Sequence, residues 1–288
     1  MDGLLRAMRR RFHLPSGPRV QIISDLHLEV GQQYSSYIFP VSAPFLLLAG
    51  DIGRLIDYDS YLEFLEAQTS RYKKVFLVLG NHEFYGLDYK SGLEAALRLS
   101  EESSLKNTLV LLNRARWDDP DSNLTILGCT LWSAITENAH SVVESKVNDF
   151  KKIHGWTAKK HNEVYIEEST WLRNQVAHVA LQNNHAERRI LVATHHAPCL
   201  EGTSRPEHSS NPWTSAFATD LVGQGGWIGV KTWVFGHTHY STNLTRNGIR
   251  IVANQRGYVL PTNTSKQEAN KSTKKTSHEF DATMAITI

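Results

Sequence analysis

Five short apolar segments of this chain each end in residues whose side chains bind metal ions in proteins. One of them runs from Val75 to Gly80 and is followed at once by Asn81, His82 and Glu83. Apolar, β-branched runs of this length predict buried strands. Because ligands bind at the carboxyl edge of the strands in open α/β sheets, the pattern predicts an α/β fold with a polar site at that edge.

The other four segments end in the same way. The residues that follow them are Asp25 and His27 after 19–24, Asp51 after 45–50, His195 and His196 after 189–194, and His237 and His239 after 232–236. In an extended segment, residues two apart point the same way, so Asp25 and His27 can reach one cation. His237 and His239 repeat this spacing. His196 should face away from its neighbour His195, as a supporting or core residue.

The order of the predicted elements indicates how the strands are connected. Apolar residues recur at helical spacing in 58–68 and 91–105. The resulting order β, β, α, β, α favours a largely parallel sheet with crossover helices. The other predicted elements are short strands at 109–112, 124–127 and 129–132 that begin a second sheet, a long helix at 163–183, a hairpin at 244–253 around Asn247-Gly248, and a final strand within 280–288.

The length of 288 residues, 41% of them hydrophobic, is ample for a large core. We predict a single domain over 19–288, preceded by a basic and flexible segment at 1–18. The segment 263–277 is rich in Ser, Thr, Lys and Asn, which predicts a mobile insertion before the final strand.

Charge and cysteine content narrow the class of protein. Thirty-one Lys and Arg against 29 Asp and Glu give no sign of a general nucleic-acid-binding surface. The chain shows neither a membrane-spanning apolar run nor a secretory signal, and two cysteines are too few for a disulfide framework. We therefore expect a cytoplasmic protein with a small-molecule partner and no membrane partner. Because the amino terminus is basic, a mitochondrial location is the alternative. The sequence does not indicate an oligomeric state.

The side chains at the strand ends form a set of seven candidate metal ligands. They are Asp25, His27, Asp51, Asn81, His195, His237 and His239, which supply two carboxylates, one amide oxygen and four imidazoles. Seven ligands are too many for one four-coordinate zinc ion, and they suit two ions that share a bridging carboxylate. Mixed oxygen and nitrogen donors favour two divalent or trivalent ions such as Mn, Fe or Zn over Ca or Mg.

A pair of ions of this kind activates a bridging water and binds two phosphoryl oxygens. We predict that a metal-bridged hydroxide attacks phosphorus and that His82 protonates the leaving oxygen. His82 adjoins Asn81 and should point away from it in an extended turn, and an unperturbed histidine is half-protonated at about pH 6.5. Glu83 is interpreted as a supporting or helix-capping carboxylate.

The motifs resemble those of the calcineurin-like metallophosphoesterase family in order and spacing, from about Arg19 to Tyr258. The residues that carry the resemblance are Asp25-Leu-His27, Gly50-Asp51, Gly80-Asn-His-Glu83, His195 and Gly236-His-Thr-His239. The resemblance implies a four-layer α/β/β/α sandwich with two central mixed β-sheets and a dinuclear metal site at the carboxyl edges of the strands. It also implies that Asp25, His27 and His239 hold one metal, that Asn81, His195 and His237 hold the other, that Asp51 bridges, and that His82 is catalytic.

Two departures from the family's serine/threonine phosphatases bear on the substrate. Those enzymes carry an Asp and an Arg after the bridging Asp, whereas this chain has Asp51-Ile-Gly-Arg54. They also carry an Arg before Gly-Asn-His-Glu, whereas this chain has Leu79. With that positive charge missing, a singly charged phosphodiester becomes the expected substrate, small or nucleotide-like. A phosphomonoesterase or nucleotidase, and a non-catalytic scaffold of the same fold, are the alternatives. The missing Asp leaves open which residue orients His82.

The segment 197–217 predicts a long irregular loop close to the site. Trp213 and Phe217 could line a substrate pocket or pack in the core. Arg205 and His208 could contact phosphate, although a solvated loop is the preferred interpretation for both.

Overall fold

Two β-sheets lie at the centre of the computed structural model, which describes residues 17–182, 188–260 and 278–288. The strands of these residues are β1 (Arg19–Ile23), β2 (Phe45–Ala49), β3 (Lys74–Val78), β4 (Leu109–Leu111), β5 (Ala115–Asp118), β6 (Leu124–Gly128), β7 (Arg189–Ala193), β8 (Val230–Phe235), β9 (Thr242–Arg246), β10 (Ile249–Ala253) and β11 (Ala285–Thr287). The first sheet has the order β11-β1-β2-β3-β4 and the second β5-β6-β7-β8-β10-β9.

Each sheet is parallel in its interior and antiparallel at an edge. In the first sheet, only β11 runs antiparallel to its neighbour β1. In the second, β5 and β9 run antiparallel to their partners β6 and β10. All five residues of β2 and all five of β6 are buried, as expected for strands covered on both faces. Both sheets are therefore mixed, as predicted.

Helices cover the outer face of each sheet. They are α1 (Tyr58–Thr69), α2 (Tyr89–Glu101), α3 (His140–Lys146), α4 (Asp149–Lys152) and α5 (Ala158–Leu181), with short 3-10 helices at Leu55–Asp57, His82–Phe84, Glu137–Ala139, Pro206–His208, Thr214–Ala216 and Val222–Gln224. α1 and α2 pack on the first sheet, and α5 packs on the second. A third apolar core, which includes Phe76 and Val252, fills the space between the sheets. This arrangement confirms the predicted four-layer sandwich.

The short strands after α2 differ from the prediction. β4 pairs in parallel with β3 and belongs to the first sheet, because α2 supplies the crossover that such a pair requires. The segment 129–132 is not a strand, and Leu131 within it has a left-handed backbone with φ of 51°. One edge of the second sheet is formed by β5, whose sequence Ala-Arg-Trp-Asp is partly exposed and lacks the apolar pattern of a buried strand.

Several local predictions are confirmed. Asn247 and Gly248 have φ of 51° and 77°, as the tight turn between β9 and β10 requires. The final strand closes the edge of the first sheet as β11. The predicted insertion at 263–277, and residues 1–16 of the basic segment, lie outside the described residues. Among the helices that are described, none combines the length and the apolar composition needed to cross a bilayer.

One helix carries a buried acid whose ionisation should affect stability. Glu168 on α5 is 1% exposed, and burial raises the pKa of its carboxyl from 4.5 to about 7. Because this pKa is raised in the folded state, the folded protein binds a proton that the unfolded chain has released. The free energy of unfolding is therefore highest below about pH 4.5 and falls as the pH rises through about 7.

Glu168→Gln cannot ionise, so we expect this variant to gain stability relative to wild type between pH 5 and pH 8. The gain should reach up to about 3 kcal/mol, since one pKa unit corresponds to about 1.4 kcal/mol. Urea unfolding of both proteins at the two pH values measures it, with the neighbouring exposed Glu167→Gln as control. An identical pH dependence in wild type and Glu168→Gln would contradict the assignment.

Candidate metal centre

The predicted ligands lie on turns that reverse the chain at the strand ends. Five of the seven have a left-handed backbone, namely Asp25 (φ 54°), His27 (47°), Asp51 (53°), His237 (73°) and His239 (50°). This conformation costs about 1–2 kcal/mol for a residue with a side chain, and such costs cluster at functional sites. The prediction that Asp25 and His27 lie in an extended segment is therefore wrong. Their side chains converge because the backbone turns at each of them.

Glycines make room for these side chains. A Cβ atom at Gly80 would collide with the carboxylate of Asp51, and one at Gly50 would collide with the ring of His195. Gly50 also has φ of +87°, which side-chain-bearing residues rarely adopt. The packing of the site thus requires glycine at positions 50 and 80, where two of the apolar segments end.

The first group of donors consists of Asp25, His27 and His239, which each offer one atom within 4.8 Å of the others. Nε2 of His27 lies 2.8 Å from Nε2 of His239. Nε2 of His239 lies 3.6 Å from Oδ1 of Asp25. Two imidazole nitrogens and a carboxylate oxygen therefore face one another, as the prediction for the first metal requires.

The second group consists of Asp51, His195 and His237, again within 4.8 Å of one another. Nε2 of His195 lies 3.3 Å from Oδ1 of Asp51 and 3.0 Å from Oδ1 of Asn81. The other carboxylate oxygen of Asp51, Oδ2, lies 3.9 Å from Nε2 of His27 in the first group. Asp51 thus presents one oxygen to each group, which is the geometry of a bridging ligand.

The chemistry of these donors fits divalent metal ions. Oδ2 of Asp25 and Nε2 of His237 are buried and have no hydrogen-bond partner among the described residues. A buried polar atom without a partner is costly, and a cation bound at each group would satisfy the atom that belongs to it. Burial also lowers the pKa of His237 and of His239, which favours the neutral imidazole that metal ligation requires. The two groups together form a site suited to a pair of divalent ions.

The amide of Asn81 is held in a fixed orientation. Its Nδ2 donates to Oδ1 of Asp149 at 2.8 Å and to the hydroxyl of Tyr85 at 3.1 Å. The Tyr85 hydroxyl donates to the same oxygen of Asp149 at 2.7 Å. With its nitrogen held in this way, Asn81 must turn Oδ1 toward His195. Asp149 lies in the polar segment 138–161, where the sequence offers no periodicity that marks it.

Glu83 supports the loop that carries Asp51. Its fully buried carboxylate accepts hydrogen bonds from the backbone N–H groups of Gly80 at 2.7 Å, Ile52 at 2.8 Å and Asp51 at 3.0 Å. The Tyr61 hydroxyl donates to it at 3.0 Å. The interpretation of Glu83 as a supporting carboxylate agrees with these contacts. His196, which is also fully buried, packs against His237 with ring centroids 4.1 Å apart.

His82 lies beside both groups and is 5% exposed. It begins a 3-10 turn, so the prediction of an extended turn is wrong. Its ring packs on Tyr85, whose hydroxyl also contacts the Asn81 amide, with ring centroids 4.1 Å apart. Its Nδ1 lies 2.7 Å from Oε1 of Glu29, and its Nε2 lies 3.0 Å from the hydroxyl of Tyr258. Since a carboxylate only accepts, Nδ1 carries a proton and Nε2 is left to exchange one with a substrate.

Glu29 is the residue that orients His82, which sequence analysis left open. Burial raises its pKa, but hydrogen bonds from His27 and His82 outweigh this and lower the pKa to about 2. The same oxygen lies 3.5 Å from Nδ1 of His27, so one carboxylate faces both a predicted ligand and the predicted acid. For His82, the negative charges of Asp51 and Glu29 outweigh burial and raise the pKa. Bound metal ions would oppose this shift.

We expect Glu29→Ala to lower kcat by roughly 10- to 100-fold, the usual effect of removing a group that orients metal ligands, with KM changed less than kcat. Glu29→Gln should recover part of the loss, because its amide oxygen still accepts from Nδ1 of His82. Steady-state kinetics on a chromogenic ester measure both. Glu101→Ala, which removes an exposed carboxylate at the end of α2, is the control. Unchanged kcat in Glu29→Ala would contradict an orienting role.

A pocket of about 530 Å³ opens beside the two groups of donors. Asp51, Asn81, His82, His237 and His239 contribute to its floor, and Phe217 stacks on His237 with ring centroids 4.7 Å apart. Trp213, Arg205 and His208 also line it, so the loop at 197–217 forms a wall of the pocket. Arg205 and His208 are both exposed, in agreement with the preferred interpretation of a solvated loop, and they lie at the pocket's open side. The volume suits a small-molecule ligand.

Comparison with known proteins agrees with this fold. A model of the calcineurin-like phosphoesterase family matches residues 18–241. The chain belongs to this family, whose members are metal-dependent hydrolases of phosphoric esters. It is 28% identical over 261 residues to an uncharacterized protein of Acanthamoeba polyphaga mimivirus, covering 83% of this chain and 91% of that protein.

Among solved structures, the fold is similar to that of the phosphopantetheinyl hydrolase of Mycobacterium tuberculosis, with a TM-score of 0.62. The two chains are 16% identical, and the similarity covers 90% of this chain and 94% of the other. At this identity the similarity concerns the fold alone.

Proposed function

We propose that this protein is a metal-dependent phosphodiesterase that acts on small or nucleotide-like diesters. The observation that carries the proposal is the convergence of the seven predicted ligands on two adjacent groups that share Asp51, with Nε2 of His82 beside them. Asp25, His27 and His239 would hold one ion, and Asn81, His195 and His237 the other. Mn, Fe or Zn suits this mixture of oxygen and nitrogen donors.

When bound, the two ions supply positive charge to the phosphoryl oxygens and lower the pKa of a water molecule between them. In the reaction, a water oxygen forms a bond to phosphorus and the bond from phosphorus to the leaving oxygen breaks. His82 gives the proton on Nε2 to that oxygen, and the proton lost by the water restores His82. The products are a phosphomonoester and an alcohol, with one water consumed. Glu29 holds the His82 ring in position throughout.

The surroundings of the site favour a diester over a monoester. The position before Gly80, which is an Arg in the family's serine/threonine phosphatases, is occupied here by Leu79. This side chain is uncharged and 1% exposed, so it cannot contact the second charged oxygen of a monoester. The guanidinium of Arg54 forms two hydrogen bonds to Asp57, at 3.0 and 2.9 Å, and is thereby partly neutralised. The cations that line the first pocket, Lys146 and Arg205, are both exposed, so no buried Lys or Arg among the described residues that line it meets the second charge of a monoester dianion. A diester monoanion does not need such a contact.

Relative turnover of bis(p-nitrophenyl) phosphate and p-nitrophenyl phosphate by the Mn-loaded enzyme tests the proposal. We expect a higher kcat/KM for the diester and no turnover after treatment with EDTA. A clear preference for the monoester would replace the proposal with a phosphomonoesterase or nucleotidase. Bound metal without turnover of either ester would favour the scaffold.

A further inference from the structure

A second cleft, of about 610 Å³, meets the first pocket at His82. His82, Tyr85, Asn148 and Tyr258 line both cavities. The second cleft differs in that none of the seven predicted metal ligands lines it. It therefore extends from the predicted proton donor away from the predicted metal site.

The second cleft has an excess of positive charge. Lys151 and Lys152, at the end of α4, are both exposed and line it together with Arg54 and His154. Neither lysine has a carboxylate within ion-pair distance among the described residues. Nζ of Lys152 lies 4.9 Å from the centre of the Tyr85 ring. The acid in this cleft, Glu29, is already hydrogen-bonded to His82, and Arg54 is paired with Asp57.

The position of the cleft assigns it to one half of the substrate. In a displacement at phosphorus, the entering and leaving oxygens lie in line on opposite sides. The entering oxygen comes from the side of the predicted ligands, so the leaving oxygen lies on the side of His82, which protonates it. The group attached to the leaving oxygen then extends toward Lys151 and Lys152.

We propose that the second cleft binds the leaving group and selects esters whose leaving group carries a negative charge of its own, as a phosphate or a carboxylate. The inference rests on the proposed phosphodiesterase function and names the substrate class of that site. The retained ester group occupies the first pocket, against Phe217 and Trp213. Hydrolysis itself is the reaction written above, and the additional anion takes no part in bond changes.

Two diesters that differ by one charge test this selection: methyl 4-nitrophenyl phosphate and methyl 3-carboxy-4-nitrophenyl phosphate. The carboxylate is remote from phosphorus and changes the charge of the leaving group. We expect kcat/KM to be roughly three- to tenfold higher for the carboxylated ester, since each exposed ion pair contributes about 0.2–1 kcal/mol. The preference should fall in 0.5 M NaCl, because salt screens exposed charges.

Lys151→Ala/Lys152→Ala should bring this ratio close to one. The matched control is Lys73→Ala/Lys106→Ala, which removes the same charge at the amino edge of the first sheet and should preserve the ratio. Melting temperatures check that both double variants fold. Equal kcat/KM for the two esters in wild type, or an unchanged preference in Lys151→Ala/Lys152→Ala, would overturn the proposal.

Binding of the leaving groups themselves separates this proposal from the proposed function. Calorimetric titration without added metal should show that 5-hydroxy-2-nitrobenzoate binds several-fold more tightly than 4-nitrophenol, and that Lys151→Ala/Lys152→Ala loses the difference. If the metal-loaded enzyme hydrolyses neither ester, the proposed phosphodiesterase function is wrong. The titration would still show whether the second cleft binds an anionic leaving group. Equal binding of the two compounds by wild type would overturn the anion site.

Discussion

Replacing His82 with alanine should lower kcat by about 10²–10⁴-fold on esters with alkoxide leaving groups, the usual contribution of general acid catalysis. The imidazole is held by Glu29 at Nδ1 and presents Nε2 to the pocket, so its loss removes the proton from the leaving oxygen. With p-nitrophenol as leaving group, which departs readily without a proton, the loss should be smaller but still at least about tenfold. Steady-state kinetics on both ester types measure the difference.

Metal content separates this effect from damage to the site. His82 is not among the predicted ligands, so His82→Ala should bind as much metal as wild type. His178→Ala, the same substitution on the exposed surface of α5, is the control and should keep full activity. Equal losses on both ester types with unchanged metal content would show that His82 does not act as the acid. Loss of metal together with activity would assign His82 to metal binding instead.

Asp51→Asn should reduce metal binding and lower turnover by more than the roughly 10- to 100-fold typical of changes around metal ligands. Asn keeps an oxygen at Oδ1, which accepts from the backbone N–H of His82 at 2.8 Å in wild type, so the turn should persist. It replaces Oδ2, which faces His27, with an amide nitrogen that cannot ligate. The variant therefore loses the bridge and one negative charge between two cations.

Elemental analysis after Mn loading, together with turnover as a function of Mn concentration, measures this effect. Asp59→Asn, on the exposed face of α1, is the matched control. If Asp51→Asn retained two ions per chain with wild-type affinity, Asp51 could not be the bridge.

Much of the fold could be predicted because its strands are buried on both faces. β2 is a continuous apolar run, β6 is apolar except for Thr125, and the polar residues that follow such runs mark the edge where they end. All seven predicted ligands lie at that edge in two adjacent groups. Strand β5 was missed because an edge strand with the sequence Ala-Arg-Trp-Asp lacks both the apolar run and the alternation that predict strands.

The supporting residues could not be predicted from spacing. Glu29 is 53 positions from His82, and Asp149 is 68 positions from Asn81. These contacts depend on how loops from different strands pack. Glu29 continues the alternation of Asp25 and His27, and the segment Ser24-Asp-Leu-His-Leu-Glu29 resembles that of small stand-alone phosphoesterases of the family, but the spacing does not identify His82 as its partner. Asp149 lies in no pattern that distinguishes it from a surface acid. The left-handed backbone at Asp25, His27 and Asp51 was missed for a related reason, since residues with side chains seldom adopt it and sequence patterns favour an extended segment.

The most direct test of a dinuclear metal site is the metal content of the purified protein after reconstitution with Mn, measured together with hydrolysis of bis(p-nitrophenyl) phosphate. We predict about two ions per chain and turnover that rises with metal occupancy, as two adjacent groups of donors sharing Asp51 require. Absence of bound metal after reconstitution with Mn, Fe or Zn would contradict the assignment of the seven residues as ligands, and with it the proposed chemistry.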